Sequence, residues 1–448
     1  MTVDQGRLTA TERRALLYGP VYRVVGTPVV AALGLANTAI IVRQVGAEVF
    51  GLVSLIATVT LLFPFADLGI GATVLSASAQ LDGPDRDPQA ANVIRRGYHV
   101  LFAVSGLLVL LALGIMAFDG WAALVGFASG PDDRWAITAA ACIFALSIPA
   151  VLGLRILVGI NRLPLATLLL MSCPAFALAV TFVLHMIGAA GIWYATSALG
   201  GLLIGEVIAT AVALRLCGLG WSAFARTTQP RDGRRRLLAG SMWLFIVGVG
   251  SSIGLQTGRV LLAHLSTPVQ LSQYALMAQI YGLGWSAFSI AGVAYWPVFV
   301  KRRTAIDESV RMWWRATAAF AGIAAIAMLA VFALGPLAAR VLSGGRIDVS
   351  AWLALAFGAL LVAQTAHLPS SVLLTRPNEA RWQALWALAM AVLSVGLGAA
   401  AAAQFGAVGV VYASALAVLA AQVVPDLAWV PRLVRRRPRV TACAVDGD

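Results

Sequence analysis

The sequence predicts an all-α, polytopic membrane protein with twelve transmembrane helices in two matched sets of six. Three observations carry that prediction. Of 448 residues, 60% are apolar and only 11% are charged, with a mean hydropathy of +0.88. A soluble domain of this composition lacks the polar residues to cover its outside, and a disordered chain needs the opposite balance. The apolar residues fall in runs long enough to cross the hydrocarbon core, which takes about 20 helical residues. The basic residues gather in every second loop, as the topology of a multi-spanning chain requires.

The runs lie at 20–42, 49–78, 97–118, 135–159, 164–186, 190–215, 238–263, 272–299, 315–341, 351–374, 382–404 and 408–431. Each is helical for one reason: in lipid every backbone N–H and C=O must find its partner within the segment. They are too long and too continuously apolar for barrel strands, which alternate over about ten residues. The stretch through Tyr18 is polar and has no small-residue cleavage site, so the first span is expected to act as its own signal anchor. Prolines at Pro28, Pro64, Pro149, Pro297 and Pro369 supply places where spans can bend. Trp121, Trp135, Trp313, Trp314, Trp352 and Trp429 fall near span ends, where an aromatic belt is expected.

Of the 32 Lys and Arg residues, 26 fall in the N-terminal stretch, in alternate loops and at the C-terminal end. Four lie on the other side (Arg43, Arg134, Arg340, Arg346), and Arg155 and Arg259 fall within spans. This split predicts that both termini are cytoplasmic, in the cell membrane. The net charge of +13 therefore reports on topology and on contact with anionic membrane lipids, with no nucleic-acid partner expected. Cys142, Cys173, Cys217 and Cys443 form no CxxC or Cys/His spacing, so neither a disulfide framework, a metal site nor another cofactor is expected.

The chain divides near its middle. Residues 1–225 form a first six-helix set, 226–237 a basic cytoplasmic linker, 238–433 a second set, and 434–448 a basic tail. The pattern GxxGxxYA occurs at Gly188, Gly191, Tyr194 and Ala195, and again at Gly406, Gly409, Tyr412 and Ala413, 218 residues later. Pro149 and Pro369 stand 220 apart. An offset spanning an even number of helices predicts a duplication whose copies enter the membrane the same way up, with substrate at the repeat interface.

Ionisable groups inside spans cost at least ~2.5–3.5 kcal/mol each on insertion scales and so mark candidate sites. Asp67, with Pro64, Gly69 and Gly71 loosening its helix, reads either as an ion-coupling or hinge residue or as a carboxylate capping a broken helix. Glu206 is the deeper of two acids in the last helix of each half and is the better ion-coupling candidate; Asp426 lies nearer the cytoplasmic end and reads as interfacial. Arg155 either faces a cavity and attracts an anionic headgroup or snorkels to the interface. Arg259 has Gln256 and Thr257 close by, and three polar groups in one stretch point to a lumen-facing surface. Arg259, Arg155 and Gln256 are the substrate-binding candidates. His185, His264 and His367 sit near helix ends, where a lone His is expected to hydrogen-bond at the interface. No Walker A, HExxH or GxSxG sequence is present, and the one acidic cluster in an outer loop is Asp132–Asp133, so catalysis is not expected.

Residues 43–72 read RQVGAEVFGLVSLIATVTLLFPFADLGIGA, and 255–280 read LQTGRVLLAHLSTPVQLSQYALMAQI. These segments resemble the polysaccharide repeat-unit (O-antigen/teichoic/exopolysaccharide) flippases of the multidrug/oligosaccharidyl-lipid/polysaccharide exporter superfamily, which also holds the MATE antiporters and the lipid II flippases. Arg259 matches the basic position of the family's seventh helix, while Gly258 stands where an Asp is common. The resemblance implies two six-helix bundles around a cavity that opens to each side in turn. It implies a substrate, too: a polyprenyl-pyrophosphate-linked oligosaccharide moved from the cytoplasmic to the outer leaflet. Polysaccharide polymerase and glycosyltransferases would be its partners in surface-polysaccharide synthesis. Two alternatives stand beside this. An ion-coupled multidrug antiporter on the same fold would need an acidic cavity, which Arg155 and Arg259 oppose. A non-transporting scaffold for glycan-assembly enzymes would depend on the basic loops and be indifferent to charges within the spans.

Overall fold

The structure, a computed structural model, describes residues 10–58, 70–79, 88–126, 130–219, 234–301, 306–374 and 376–436. These residues form helices α1 (Ala10–Ala57, broken at Gly46, where φ is +80° and ψ 175°), α2 (Ile70–Ala79), α3 (Pro88–Ala117), α4 (Trp121–Val125), α5 (Pro131–Ala150), α6 (Leu152–Gly159), α7 (Leu163–Met186) and α8 (Ala195–Leu216). They continue with α9 (Arg234–Leu265), α10 (Pro268–Lys301), α11 (Ile306–Ser343), α12 (Ala351–Leu373), α13 (Pro377–Val418) and α14 (Val424–Arg435). A 3-10 turn, Gly191–Tyr194, leads into α8, and a π-helical turn, Leu419–Val423, leads into α14. There is no strand among the described residues.

The helix ends follow from local chemistry. The Asp133 carboxylate accepts the Gly130 N–H at 3.1 Å at the start of α5, so the acidic pair of the sequence serves a helix N-terminus. Ser350 Oγ accepts the Leu353 N–H at the start of α12. At the end of α7, Gly188 turns left-handed (φ +70°), and two bonds close the helix: Gly188 N–H to His185 O and Ala189 N–H to Leu184 O. Asn161 (φ +56°) closes α6 with the same pair of bonds.

Nine helical stretches are long and apolar enough to cross a membrane among the described residues, the longest being Glu379–Arg435. That stretch doubles back. Gly406 takes φ +55°, ψ −138°, a conformation open to glycine, and the Gln270 side chain accepts the Ala407 N–H freed there at 2.9 Å. Ser394 and Ser414 would lie ~30 Å apart on a straight helix; their hydroxyls are hydrogen-bonded at 3.0 Å. The arms before and after Gly406 therefore lie side by side, matching the predicted runs 382–404 and 408–431. The second predicted run is described only at its two ends, because 59–69 lies outside the described residues.

The chain forms two compact units, Met1–Ser241 with Leu342–Arg346, and Met242–Val341 with Ile347–Asp448. In the first, α1, α7 and α8 pack together, α3 lies on α5, and α2 on α6. Its core holds Val74, Ile94, Leu101, Leu152, Ile156 and Leu157. A buried polar knot ties three of its helices: Asn37 Nδ2 donates to Ser197 Oγ (3.2 Å), Thr181 Oγ1 to Asn37 Oδ1 (2.6 Å), and Ser197 Oγ to Ala177 O (3.0 Å). In the second unit, α12 packs against α10, α13, the π-turn and α14. Trp313, fully buried, donates Nε1–H to Ser370 Oγ at 2.9 Å, and Phe299, Leu373, Val430 and Val434 complete that core. Trp313 and Trp121, which is 9% exposed and bonded to Thr138, thus belong to the interior and not to the expected aromatic belt.

Candidate functional site

The site of Arg259 begins with three glycines. Gly250, Gly254 and Gly258 recur every four residues and give α9 a flat face. A Cβ on Gly250 would lie 2.9 Å from the Ala387 backbone, and one on Gly258 would lie 2.8 Å from the Tyr274 hydroxyl. With nothing projecting at 258, Tyr274 of α10 approaches closely enough for the guanidinium of the next residue to lie over its ring, Cζ 5.6 Å from the centroid. Gln256, three residues earlier on the same face, accepts a hydrogen bond from Arg259 Nη1 at 3.0 Å.

Arg259 is 6% exposed, and its Nε has no hydrogen-bond partner. No carboxylate among the described residues pairs with it. Such a guanidinium keeps its charge and unused donor capacity in a fixed fork suited to phosphate oxygens. Thr257 takes no part in this cluster, since its hydroxyl donates to Ile253 O of its own helix.

Of the other sequence candidates, Arg155 lies on the exposed side of α6, opposite Leu152, Ile156 and Leu157. Glu206 is 5% exposed within the first unit, and its Oε2 has no hydrogen-bond partner. The neighbouring Gly205 sits flush against Cys173 of α7, where a Cβ would lie 2.4 Å from Sγ. Pro64 and Asp67 lie outside the described residues. The structure therefore joins Arg259 to Gln256 and leaves Glu206 by itself.

One constellation escaped the sequence reading. Asp426, expected at the interface, is 2% exposed, and its Oδ2 is 2.7 Å from His367 Nδ1. Its Oδ1 has no partner. The pair joins α12 to α14 across 59 residues of sequence. The remaining polar groups of α12 are engaged nearby: Gln364 accepts from the Tyr281 hydroxyl, and Gln383 Nε2 donates to Ser370 O.

Comparison with known proteins places this geometry. The fold is shared with a MATE family multidrug resistance transporter of the MOP superfamily in its inward-facing conformation, at TM-score 0.72 and 14% identity, over 91% of this chain and 96% of that one. It is shared with the lipid II flippase MurJ, at TM-score 0.62 and 16% identity, over 91% and 87%. A MOP superfamily transporter from Pyrococcus furiosus, described as having a binding pocket of reversed polarity, aligns at TM-score 0.58 and 15% identity, over 95% and 97%. No curated protein matches the chain in sequence. The model of one family, described as polysaccharide biosynthesis protein, matches residues 17–302, well over half the chain and including Arg259, so the chain belongs to that family.

Proposed function

We propose that the protein is a flippase that carries polyprenyl-pyrophosphate-linked oligosaccharide repeat units from the cytoplasmic to the outer leaflet of the cell membrane by alternating access. It does so without catalysing a covalent step. The observation that carries this reading is Arg259: a buried guanidinium, held by Gln256 and Tyr274, with an unused N–H and no paired carboxylate. A glycan headgroup cannot enter hydrocarbon unassisted, because each unpaired polar group there is costly. Its pyrophosphate is the anion that such a guanidinium would meet, while the polyprenyl tail stays in the bilayer.

In this reading Arg155 attracts the same headgroup on the side of the first unit, and the basic loops, with both termini in the cytoplasm, hold anionic lipid and substrate close. Glu206 and Asp67 bind the coupling ion, and Pro64 lets the helix of Asp67 bend. Polymerase and glycosyltransferases would supply and consume the lipid-linked glycan.

The test is surface-polysaccharide export in cells whose own exporter is deleted. Arg259→Ala and Gln256→Ala, at normal membrane abundance, are expected to abolish and weaken export respectively, with Arg259→Lys restoring part of it. Wild-type export from Arg259→Ala would overturn the assignment. The likeness in fold to a multidrug transporter favours one competing reading; it predicts resistance to cationic drugs on expression, whereas the flippase reading predicts none. A scaffold would tolerate Arg259→Ala and fail when its basic loops are neutralised.

A further inference from the structure

The His367–Asp426 pair is separate from the Arg259 cluster, and nothing in the reading above uses it. We propose that His367 and Asp426 form a proton-binding site in the second unit, through which a proton gradient drives transport. This rests on the flippase reading and adds, in the second half, a proton site to the ion-coupling acids Glu206 and Asp67 of the first.

The argument starts from how Asp426 comes to face inward. The π-turn Leu419–Val423 places an extra residue in the last helix just ahead of Pro425. A proline has no N–H to give to the carbonyl one turn back, so the regular ladder is already broken there and the widened turn costs little more. Each residue turns a helix by ~100°, so one additional residue swings everything after it onto a different face. Asp426 is the first ionisable group past this point, and it is driven into the bundle against α12.

There its two oxygens differ. Oδ2 meets His367 Nδ1, and Oδ1 meets nothing. The His367 side chain retains 19% exposure against 3% for Asp426, so the imidazole gives the buried carboxylate a route to water. When the imidazole is neutral, Nδ1–H donates to the carboxylate and the pair carries one negative charge. A proton taken up at Nε2 makes an imidazolium–carboxylate pair of zero net charge. The anionic form is the one that burial in a membrane protein penalises, and the neutral form is the one it tolerates. Loss of the proton therefore favours opening of the α12–α14 contact to water, and its return favours closure.

The charged and titratable groups on the packed elements are otherwise occupied or turned outward. On α10, Tyr274 lies beneath Arg259, Tyr281 donates to Gln364, and Tyr295 packs on Phe299 and Phe320. On α11, Asp307, Glu308, Arg311, Arg315 and Arg340 are exposed. On α13, Glu379 accepts the Arg376 N–H, Arg381 lies over Trp243, and Tyr412 is half-buried. The π-turn has none, and on α14 Arg432 donates to Ala428 O and Arg435 is exposed. A proton fits this site better than a metal cation. Among the described residues no group of three His, Cys, Asp or Glu comes together, and hard cations demand several oxygen ligands.

The first half holds a counterpart. Glu206 precedes Asp426 by 220 residues, the separation of Pro149 and Pro369, and each acid is buried in the last helix of its half with one oxygen unpaired. Among the described residues, the acid of the second half alone has a histidine partner.

The test uses the full chain in lipid nanodiscs and in liposomes. The protein has four histidines, so ring-labelled protein shows few imidazole signals, and His367→Gln assigns one of them. That signal is expected to respond to pH, and its response to change in Asp426→Asn, whose amide oxygen still accepts from Nδ1–H and so preserves the fold. In liposomes loaded on one face with polyprenyl-pyrophosphate oligosaccharide, an imposed proton gradient is expected to accelerate wild-type transfer. Both variants should transfer at least about tenfold more slowly and ignore the gradient. A His367 signal indifferent to Asp426→Asn overturns the proposal, as does a variant that keeps wild-type gradient dependence or transfer driven by sodium alone. A wild-type protein that moves no glycan, with His367 titrating as expected, overturns the flippase reading and leaves the proton site standing on its titration.

Discussion

The Tyr274 hydroxyl occupies the volume that a side chain on Gly258 would fill, standing 2.8 Å from where its Cβ would be, with Val410 Cγ1 at 3.0 Å. The bare backbone at 258 is what brings an aromatic ring under the neighbouring Arg259. Gly258→Ala is therefore expected to overpack the junction of α9, α10 and α13 by ~1–3 kcal/mol, seen as a lower thermal-unfolding midpoint in detergent. Gly258→Asp should cost more, since its carboxylate has no room beside the phenol. An unchanged midpoint for both would show that Tyr274 moves freely.

Tyr274 itself separates shape from charge. Tyr274→Phe keeps the ring face beneath the guanidinium and should retain most export. Tyr274→Ala removes a cation–π contact of ~0.5–2 kcal/mol and lets the guanidinium wander, so export should fall at equal protein abundance. Equal export from the two variants would argue against a positioned Arg259.

Trp313 is a stability residue. Trp313→Ala opens a cavity in the Phe299–Val434 core and is expected to cost ~3–5 kcal/mol. Trp313→Phe forfeits mainly the bond to Ser370 and should cost ~1–3 kcal/mol. Thermal unfolding of the two variants checks the ordering.

The Asn37–Thr181–Ser197 knot should show the asymmetry of buried hydrogen bonds. Asn37→Ala removes two buried bonds, to Thr181 and Ser197, which keep their bond to each other, and is expected to destabilise by ~1–3 kcal/mol. Replacing all three by apolar residues of similar shape should recover much of that loss, as measured by the same unfolding midpoint.

Topology is open to a direct reading. A fluorescent protein joined after Arg436 is expected to glow, because that protein matures in the cytoplasm. A periplasm-activated phosphatase joined at the same point is expected to stay silent. The reverse result would invert the orientation drawn from the arginine distribution.

Much of this architecture was legible in the amino-acid order, because lipid imposes one simple rule: continuous apolar runs of sufficient length become helices. The arginine within the seventh run and its glutamine partner were legible too, since both lie on one helix at a spacing of three. The third member, Tyr274, was not, because it arrives from the next helix and the signal for it is the glycine at 258, whose meaning depends on what packs there. His367 and Asp426 each looked like an ordinary interfacial residue. Their partnership depends on a one-residue register change inside the last helix, and composition carries no trace of that beyond the nearby Pro425. Trp313 misled in the opposite sense, because nearness to a span end says nothing about which way an indole turns.

Gly406 has an outcome that reaches far beyond its own neighbourhood. Read by length alone, Pro377–Val418 is one rod of 42 residues. One reversed dihedral makes it two arms that lie side by side. Any substitution that straightened that residue would part Ser394 from Ser414 and carry Asp426 away from His367. The return of this stretch rests on a residue with no side chain.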